Sequence, residues 1–348
     1  MEITSTCITY MSFSDFRSGP YRTRYEIDTR FKNFVLLDYA AEHWGDHARE
    51  LVTMRRGNEY ESHTRLAMSF LLDEQLISSA MQAVLLSWRQ SYSGTLRTQL
   101  LHLAASFGIR ELSVLLLANE ADVHASGCFY DKDRYIFREG VTPLYVACYK
   151  GYGEIATLLL NEGADINAQN RKLGTALHGA SRKGCTHVVR LILKTDDVQI
   201  DSKDEYSRTS LSIAAENDNE AIVKLLLETG KVDVNSKDND GWTPLSRAVQ
   251  SGREAVVKLL LDTSKVDVDS KDINGRAPLS WAAQSGQEGI LKLLLNTGKV
   301  DVDSKDINGR APLSWAAQSG QEVTVKQLLD ASKVDVNSKD NDGWTPLS

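Results

Sequence analysis

Apolar positions along the last two-thirds of the chain form paired short clusters that return at a fixed interval. One period, DGWTPLSRAVQSGREAVVKLLLDTSKVDV from Asp240, shows the arrangement. Thr243 stands where an N-cap is wanted, Pro244 at the first helical position and Gly252 where a left-handed residue can end a helix, so a short helix is predicted between them. A second helix is predicted over Arg253–Asp262. Its Val256, Val257, Leu259, Leu260 and Leu261 are too many for one isolated amphipathic pair and must be covered by neighbouring copies. The polar stretch Ser236–Gly241, with Asp238, Asn239, Asp240 and Gly241, predicts a tight turn.

The interval is a true internal repeat. KVDVDSKDINGRAPLSWAAQSGQE occurs at 265–288 and again unchanged at 299–322, and KVDVNSKDNDGWTPLS occurs at 231–246 and 333–348. Weaker copies begin at Leu100, Val141 and Thr175. The leucine of the motif falls at Leu101, Leu144, Leu177, Leu211, Leu245, Leu279, Leu313 and Leu347. Its spacing is close to 34 throughout except for one excess of about ten residues after the first copy.

T-P-L-H-x-A, then G-x-x-x-x-V-x-x-L-L, then D-V-N, resembles the ankyrin repeat over residues 96–348, with seven repeats and the start of an eighth. The resemblance implies an all-α solenoid and a surface that binds other proteins without chemistry of its own. The motif histidine is kept at His102 and His178, is Tyr145 in the second copy, and is serine at Ser212, Ser246, Ser280, Ser314 and Ser348. The motif threonine becomes Ala277 and Ala311, each removing a cap worth about 1 kcal/mol.

The front end is read as helical. Phe34, Leu37, Ala41, Trp44, Ala48 and Leu51 lie on one helical face, a second helical stretch runs from Thr64 to Trp88, and Ser91–Thr95 with Gly94 marks the joint to the repeats. CITYMSFSDFRSGP followed by LLDYAAEHWGDHAR, within residues 5–90, is similar to the segment preceding the ankyrin array in fungal NACHT-type NTPase receptors. That likeness implies a fungal chain in three parts: a remnant of a helical or winged-helix region at 1–30, a small helical segment at 31–95, and repeats at 96–348 with an insertion at 124–140. It also implies a second function class, the sensor portion of such an NTPase, as a fragment or a stand-alone descendant, or an accessory protein of a neighbouring pathway.

Charge and composition exclude several classes. With 42% hydrophobic and 25% charged residues the chain is expected to fold rather than stay disordered. Lys plus Arg number 40 against 47 Asp plus Glu, a net −7 that argues against a nucleic-acid partner. Glu2 and the lack of an apolar run argue against a signal peptide or a membrane span, so a cytoplasmic or nuclear protein is expected. Cys7, Cys128, Cys148 and Cys185 contain no C-x-x-C pair and are read as reduced thiols.

Candidate chemistry is sparse. No G-x-x-x-x-G-K-[ST] occurs, and Thr229-Gly230-Lys231-Val232 and Thr297-Gly298-Lys299-Val300 lack its glycine spacing and its hydroxyl, so no nucleotide binding is expected. His43 and His47 have the i,i+4 spacing of metal ligands but neither the intervening glutamate nor a third ligand. The stretch from Ser236 resembles a calcium loop only superficially, because Arg247 stands where a bidentate glutamate belongs. No cofactor, metal or catalytic residue is expected, and the chain is read as a non-enzyme.

A protein partner is the remaining expectation. The leucine-rich second helices are used in stacking, so variation can accumulate on the hairpin tips and the adjoining face of the first helices. On that ridge Tyr206, Arg208, Trp242, Arg276 and Arg310 are the candidates, with Gln250, Gln284 and Gln318 lining the neighbouring groove. Trp281 and Trp315 are expected to pack, whereas Trp242 and Trp344 suit packing or binding equally. The insertion places Phe129, Tyr130, Tyr135 and Phe137 in nine residues. It is read as a hairpin finger whose aromatics either fold onto the array or meet the partner. Lys224, Lys258 and Lys292 on the second helices should be solvated, and Val325, Leu328 and Leu329 are expected to form an uncovered face of the seventh repeat.

Overall fold

The structure is a computed structural model that describes residues 96–131, 136–331 and 334–346. The helical segment expected at 31–95, with its His43 and His47, lies outside the described residues. Two compact units are present, divided between Asp165 and Ile166.

In the first unit, α1 (Leu96–Phe107) and α2 (Arg110–Ala118) form one helical pair, and α3 (Pro143–Lys150) and α4 (Gly153–Asn161) form the next. The pairs pack helix on helix, α1 on α3 and α2 on α4. The insertion between them is an antiparallel hairpin of β1 (Gly127–Asp131) and β2 (Ile136–Val141), with Phe129 opposite Arg138 and Tyr130 opposite Phe137. A hairpin is therefore what the ten extra residues build. Its base is fixed by His102, whose Nε2 donates to the carbonyl of Val141 at 2.7 Å. Gly127 is required beside that ring, since a Cβ there would lie 2.6 Å from it.

The second unit repeats the helical pair five times: α5 (Ala176–Lys183) and α6 (Thr186–Ile192), α7 (Ser210–Glu216) and α8 (Glu220–Glu228), α9 (Pro244–Gln250) and α10 (Glu254–Leu261), α11 (Pro278–Gln284) and α12 (Glu288–Asn296), and α13 (Pro312–Gln318) and α14 (Glu322–Asp330). First helices stack on first helices and second helices on second helices. The core is a column of motif leucines and small residues. Leu211, Leu245, Leu279 and Leu313 are buried with Ala214, Ala215, Ala248, Ala282, Ala283 and Ala316 between them. On the second helices Ile222, Val223, Leu226, Val256, Val257, Leu260, Ile290, Leu291 and Leu294 are buried, while Leu259 and Leu261 are half-buried. In the seventh repeat Leu328 is fully buried, Val325 half-buried and Leu329 exposed, so only part of that face is open.

Local chemistry starts the helices as the sequence suggests. The Thr209 and Thr243 side chains accept from the backbone N–H groups of Ser212 and Ser246. Ala277 and Ala311 offer no such bond, and Pro278 and Pro312 begin their helices unaided.

Candidate functional site

The hairpin side of the second unit is built around a buried aspartate in each turn. Asp204, Asp238, Asp272, Asp306 and Asp340 each use Oδ1 to accept two backbone N–H groups, two and four residues later. For Asp238 these are Asp240 N at 3.0 Å and Trp242 N at 2.9 Å. The pattern closes the turn by satisfying donors that a tight loop would otherwise leave unpaired. The tips then join across repeats through backbone bonds, Asn239 N to Tyr206 O, Ile273 N to Asp240 O, Ile307 N to Asn274 O and Asn341 N to Asn308 O, all 2.9–3.0 Å. Gly241 is required here: its φ is +78°, and a Cβ would meet the backbone N of Ile273 at 2.9 Å.

The second oxygen of each aspartate selects what lies on the adjoining helix face. Asp204 Oδ2 takes the Nε and Nη2 of Arg208 at 3.0 and 2.8 Å, and Asp238 Oδ2 takes the Nε and Nη2 of Arg247. Asp272 and Asp306 instead accept the indole N–H of Trp281 and Trp315, at 3.2 and 3.1 Å. These side chains stack into one column. The Arg247 guanidinium lies over Trp242 (5.1 Å), Trp242 lies on Trp281 (4.6 Å between ring centroids), and Arg276 is held between Trp281 (3.6 Å) and Trp315 (3.9 Å), with Arg310 following 5.2 Å from Trp315. Alternating π faces and guanidinium planes attract one another, more strongly where water is excluded. Burial lowers the Arg276 pKa, and Asp272 and Asp306 oppose that shift by favouring its charge.

The residues singled out in the sequence divide in this structure. Tyr206 is 48% exposed, with the Arg208 guanidinium 4.8 Å above its ring. Gln250 and Gln318 are exposed, and Arg208, Gln284 and Arg310 half-buried. Trp242 and Arg276 are buried in the column, because each is covered by the indole one repeat further on. Gln284 and Gln318 hold it from the side, their Oε1 atoms accepting from Arg276 Nη2 at 2.5 Å and Arg310 Nη1 at 3.2 Å. Phe129, Tyr130 and Phe137 lie on the strands of the finger, and Tyr135 falls outside the described residues. Lys224, Lys258 and Lys292 are exposed on the second helices.

Sequence reasoning missed Ile273 and Ile307, which stand 63% and 61% exposed on adjacent tips. The available signal was an isoleucine where the other tips carry Glu205, Asn239 and Asn341. It also missed a row of lysines, Lys203, Lys237, Lys271 and Lys305, each donating Nζ to the carbonyl of the lysine one repeat on at 2.8–3.0 Å.

Burial lowers the pKa of His178 to about 4. This side chain serves as a tether, its Nδ1 accepting from Thr175 N at 3.1 Å and its Nε2 donating to Arg208 O at 3.1 Å. Among the described residues no cluster of His, Cys, Asp and Glu could hold a metal, and no helix is long and apolar enough to cross a membrane.

A family model described as ankyrin repeats (three copies) matches residues 76–170, 169–238, 230–306 and 279–348. Among known proteins, the chain is 43% identical over 56 residues to the mouse protein fem-1 homolog A-like, covering 16% of this chain and 9% of that one. It is 33% identical over 113 residues to human transient receptor potential cation channel subfamily A member 1, covering 30% and 9%. To the mouse B-cell lymphoma 3 protein homolog it is 33% identical over 95 residues, covering 27% and 19%. The matches thus span less than a fifth of the length of each of these relatives. Among solved structures, the ankyrin repeat domain of Bcl-3, a member of the IkappaB protein family, superposes with a TM-score of 0.54 at 29% identity, covering 60% of this chain and 93% of that one.

Proposed function

The chain belongs to the ankyrin-repeat family, and from that premise we propose that it is a non-catalytic module binding another protein along the hairpin tips and first-helix face. Ankyrin repeats generally bind other proteins, which leaves the face as the question for this one. One observation carries the assignment. Tyr206, Ile273 and Ile307, large apolar side chains between 48% and 63% exposed, stand on the tips of the hairpins, while the second helices α8, α10 and α12 present Lys224, Lys258 and Lys292 and only α14 exposes apolar side chains, Val323 and Leu329, among the second helices of this unit. Apolar exposure aligned on one ridge marks an interaction surface, whereas lone exposed residues do not. Tyr206, Arg208, Gln250, Gln284, Arg310 and Gln318 lie within reach of a partner there, and Trp242 and Arg276 set the shape from beneath. The finger adds Phe129, Tyr130, Tyr135 and Phe137 in the first unit.

A second reading rests on the likeness of residues 5–90 to NACHT-type receptors. In it the repeats at 96–348 sense a ligand for a nucleotide-binding switch, reached through the segments at 1–30 and 31–95, in a fungal cytoplasm or nucleus. Finding an upstream reading frame that encodes a phosphate-binding loop would decide for that reading.

The test is affinity capture by the full chain followed by binding of the purified partner to variants. Alanine at Tyr206, Ile273 and Ile307 is expected to weaken binding about thirtyfold or more where an anchor is removed. Alanine at Lys224, Lys258 and Lys292 is expected to leave it unchanged. The reverse result places the partner on the other side of the repeats.

A further inference from the structure

Residues 270–276 and 304–310 share the sequence SKDINGR, so two neighbouring hairpin tips present the same surface twice. They touch directly, Ile307 N donating to Asn274 O at 3.0 Å. Charge as well as isoleucine sets this pair apart. Each of the two tips holds two basic side chains against one acidic, whereas 236–242 and 338–344, both SKDNDGW, hold one against two, and 202–208, SKDEYSR, is balanced. Glu205, Asp240 and Asp342 stand exposed on those other tips. The matching positions of the central pair are Ile273, Asn274, Ile307 and Asn308, exposed and without a carboxylate.

The lysine row brings ammonium groups to the same place. Lys237 Nζ donates to Lys271 O and Lys271 Nζ to Lys305 O, both at 2.8 Å, so each ammonium is held on the tip one repeat further on. These bonds use one of three donors and leave the charge unmatched, because the acceptor is a carbonyl. Both lysines are exposed, and neither forms an ion pair among the described residues. The nearby carboxylates are engaged elsewhere. Asp269, which acts on Lys271 electrostatically, accepts from Asp301 N, and Asp240 lies 3.7 Å from Arg247. Asp272 and Asp306 are buried, each accepting backbone N–H groups and an indole N–H, with the Arg276 charge beside both. What faces outward on the central pair is therefore positive and apolar, bounded by Asp240 on one side and Asp342 on the other.

Exposed isoleucines gain when apolar groups cover them, and ammonium groups with donors to spare gain when a carboxylate reaches them. A protein segment with acidic and apolar side chains interspersed supplies both. An uncharged apolar segment would cover the ammonium groups without a counter-ion, and a basic one would be repelled. A nucleic acid supplies anions, but a phosphate backbone running on along the ridge meets Asp240 and Asp342 on a chain of net charge −7.

We propose that the paired tips 270–276 and 304–310 receive a short acidic segment of another protein, with apolar side chains against Ile273 and Ile307 and carboxylates at the ammonium groups of Lys237 and Lys271. The proposal rests on the binding face assigned above and gives its partner a charge and a place on the ridge.

The experiment selects a displayed random dodecapeptide library on the full chain, then measures the winning peptides by fluorescence anisotropy. Enrichment of Asp and Glu together with Leu, Ile or Phe is expected. Lys237→Glu with Lys271→Glu should weaken the winners about tenfold or more. Lys258→Glu with Lys292→Glu makes the same change of net charge on the second helices and should leave binding unchanged. Ile273→Asn and Ile307→Asn, which install the residue of the neighbouring tips, should each weaken binding about tenfold. Asp240→Asn should tighten it about twofold. Winners with their carboxylates replaced by lysine should prefer the Lys237→Glu, Lys271→Glu chain to the natural one. Circular dichroism of the variants keeps loss of fold separate from loss of binding. Enrichment of basic or uncharged sequences overturns the proposal, as do no enrichment at all, binding that survives the double reversal, and displacement of the winners by an equal concentration of single-stranded RNA. Peptides that depend on Tyr206, Ile273 and Ile307 but ignore Lys237 and Lys271 leave the binding face standing and remove only this inference. Dependence on Lys258 and Lys292 removes both.

Discussion

Two neighbouring repeats, 231–264 and 265–298, fold alike but are fastened differently. In the first, Thr243 caps its helix and also lies 3.0 Å from the Ser246 hydroxyl. In the second, Ala277 cannot cap, and the Ser280 hydroxyl is buried without a partner. Asn235 accepts from Asp267 N and donates to Lys265 O, both at 2.8 Å. Its counterpart Asp269 accepts from Asp301 N at 2.9 Å and leaves Oδ1 buried and unpaired. The turn carboxylate meets Arg247 in one repeat and Trp281 in the other. The second repeat has thus lost two polar fastenings and gained an indole packed against Trp242 and Arg276. Buried leucines and alanines common to both fix the fold, and the polar tethers exchange for stacking without changing it.

Removing the stacking should therefore hurt the second repeat most. Trp281→Ala is expected to cost about 3–4 kcal/mol in urea unfolding, since it opens a cavity between Trp242 and Arg276 and strands the Asp272 carboxylate. Arg247→Ala, which leaves Asp238 unpaired in the first repeat, should cost about 3 kcal/mol. A cost below 1 kcal/mol for Trp281→Ala would show that the column contributes little and that the leucines alone compensate.

Restoring a lost tether gives a smaller change of opposite sign. Ala277→Thr should stabilise by about 1 kcal/mol, by capping α11 and giving the Ser280 hydroxyl a partner, and Thr243→Ala should destabilise by about the same amount. A destabilising Ala277→Thr would mean that the column has drawn this helix into a position where the cap no longer fits.

The smallest effect concerns Asp269. Burial raises its pKa, with Asp301 and Asp267 adding to the shift and the backbone N–H of Asp301 opposing it. A carboxyl with a raised folded pKa contributes stability below its unfolded pKa and loses it as pH rises through the folded value, so at neutral pH this residue is unfavourable. Asp269→Asn should stabilise by about 0.5–1 kcal/mol at pH 7, with the amide free to donate as Asn235 does. The gain should shrink as pH falls through the raised value. Unfolding at neutral and acidic pH checks both, and a gain independent of pH would assign it to the hydrogen bond alone.

Much of the frame was legible in the sequence. Period, helix starts and stops, and the lost caps at Ala277 and Ala311 follow from residues adjacent in the chain, where propensity and capping act locally. The ten-residue excess was legible as a hairpin for the same reason. Less legible was the site. Arg276 reads as a free surface arginine, and only the two indoles on either side of it show that it is buried. Ile273 and Ile307 read as substitutions in a turn, and their shared ridge exists only because backbone bonds between tips align successive repeats.

Trp242 and Trp344 mark the boundary between the two kinds of information. The stretches around them, 231–246 and 333–348, are identical in sequence, and in both the turn aspartate accepts the tryptophan's backbone N–H at 2.9 Å. Sequence by itself determined that much: the turn, its aspartate and the direction in which the chain leaves it. Yet Trp242 is 7% exposed and Trp344 62%. Over Trp242 lies the indole of Trp281, and no ring covers Trp344 among the described residues. Burial is a property of what a neighbouring repeat places on the ring, a contact between residues a full period apart, and that is what only the tertiary structure decided.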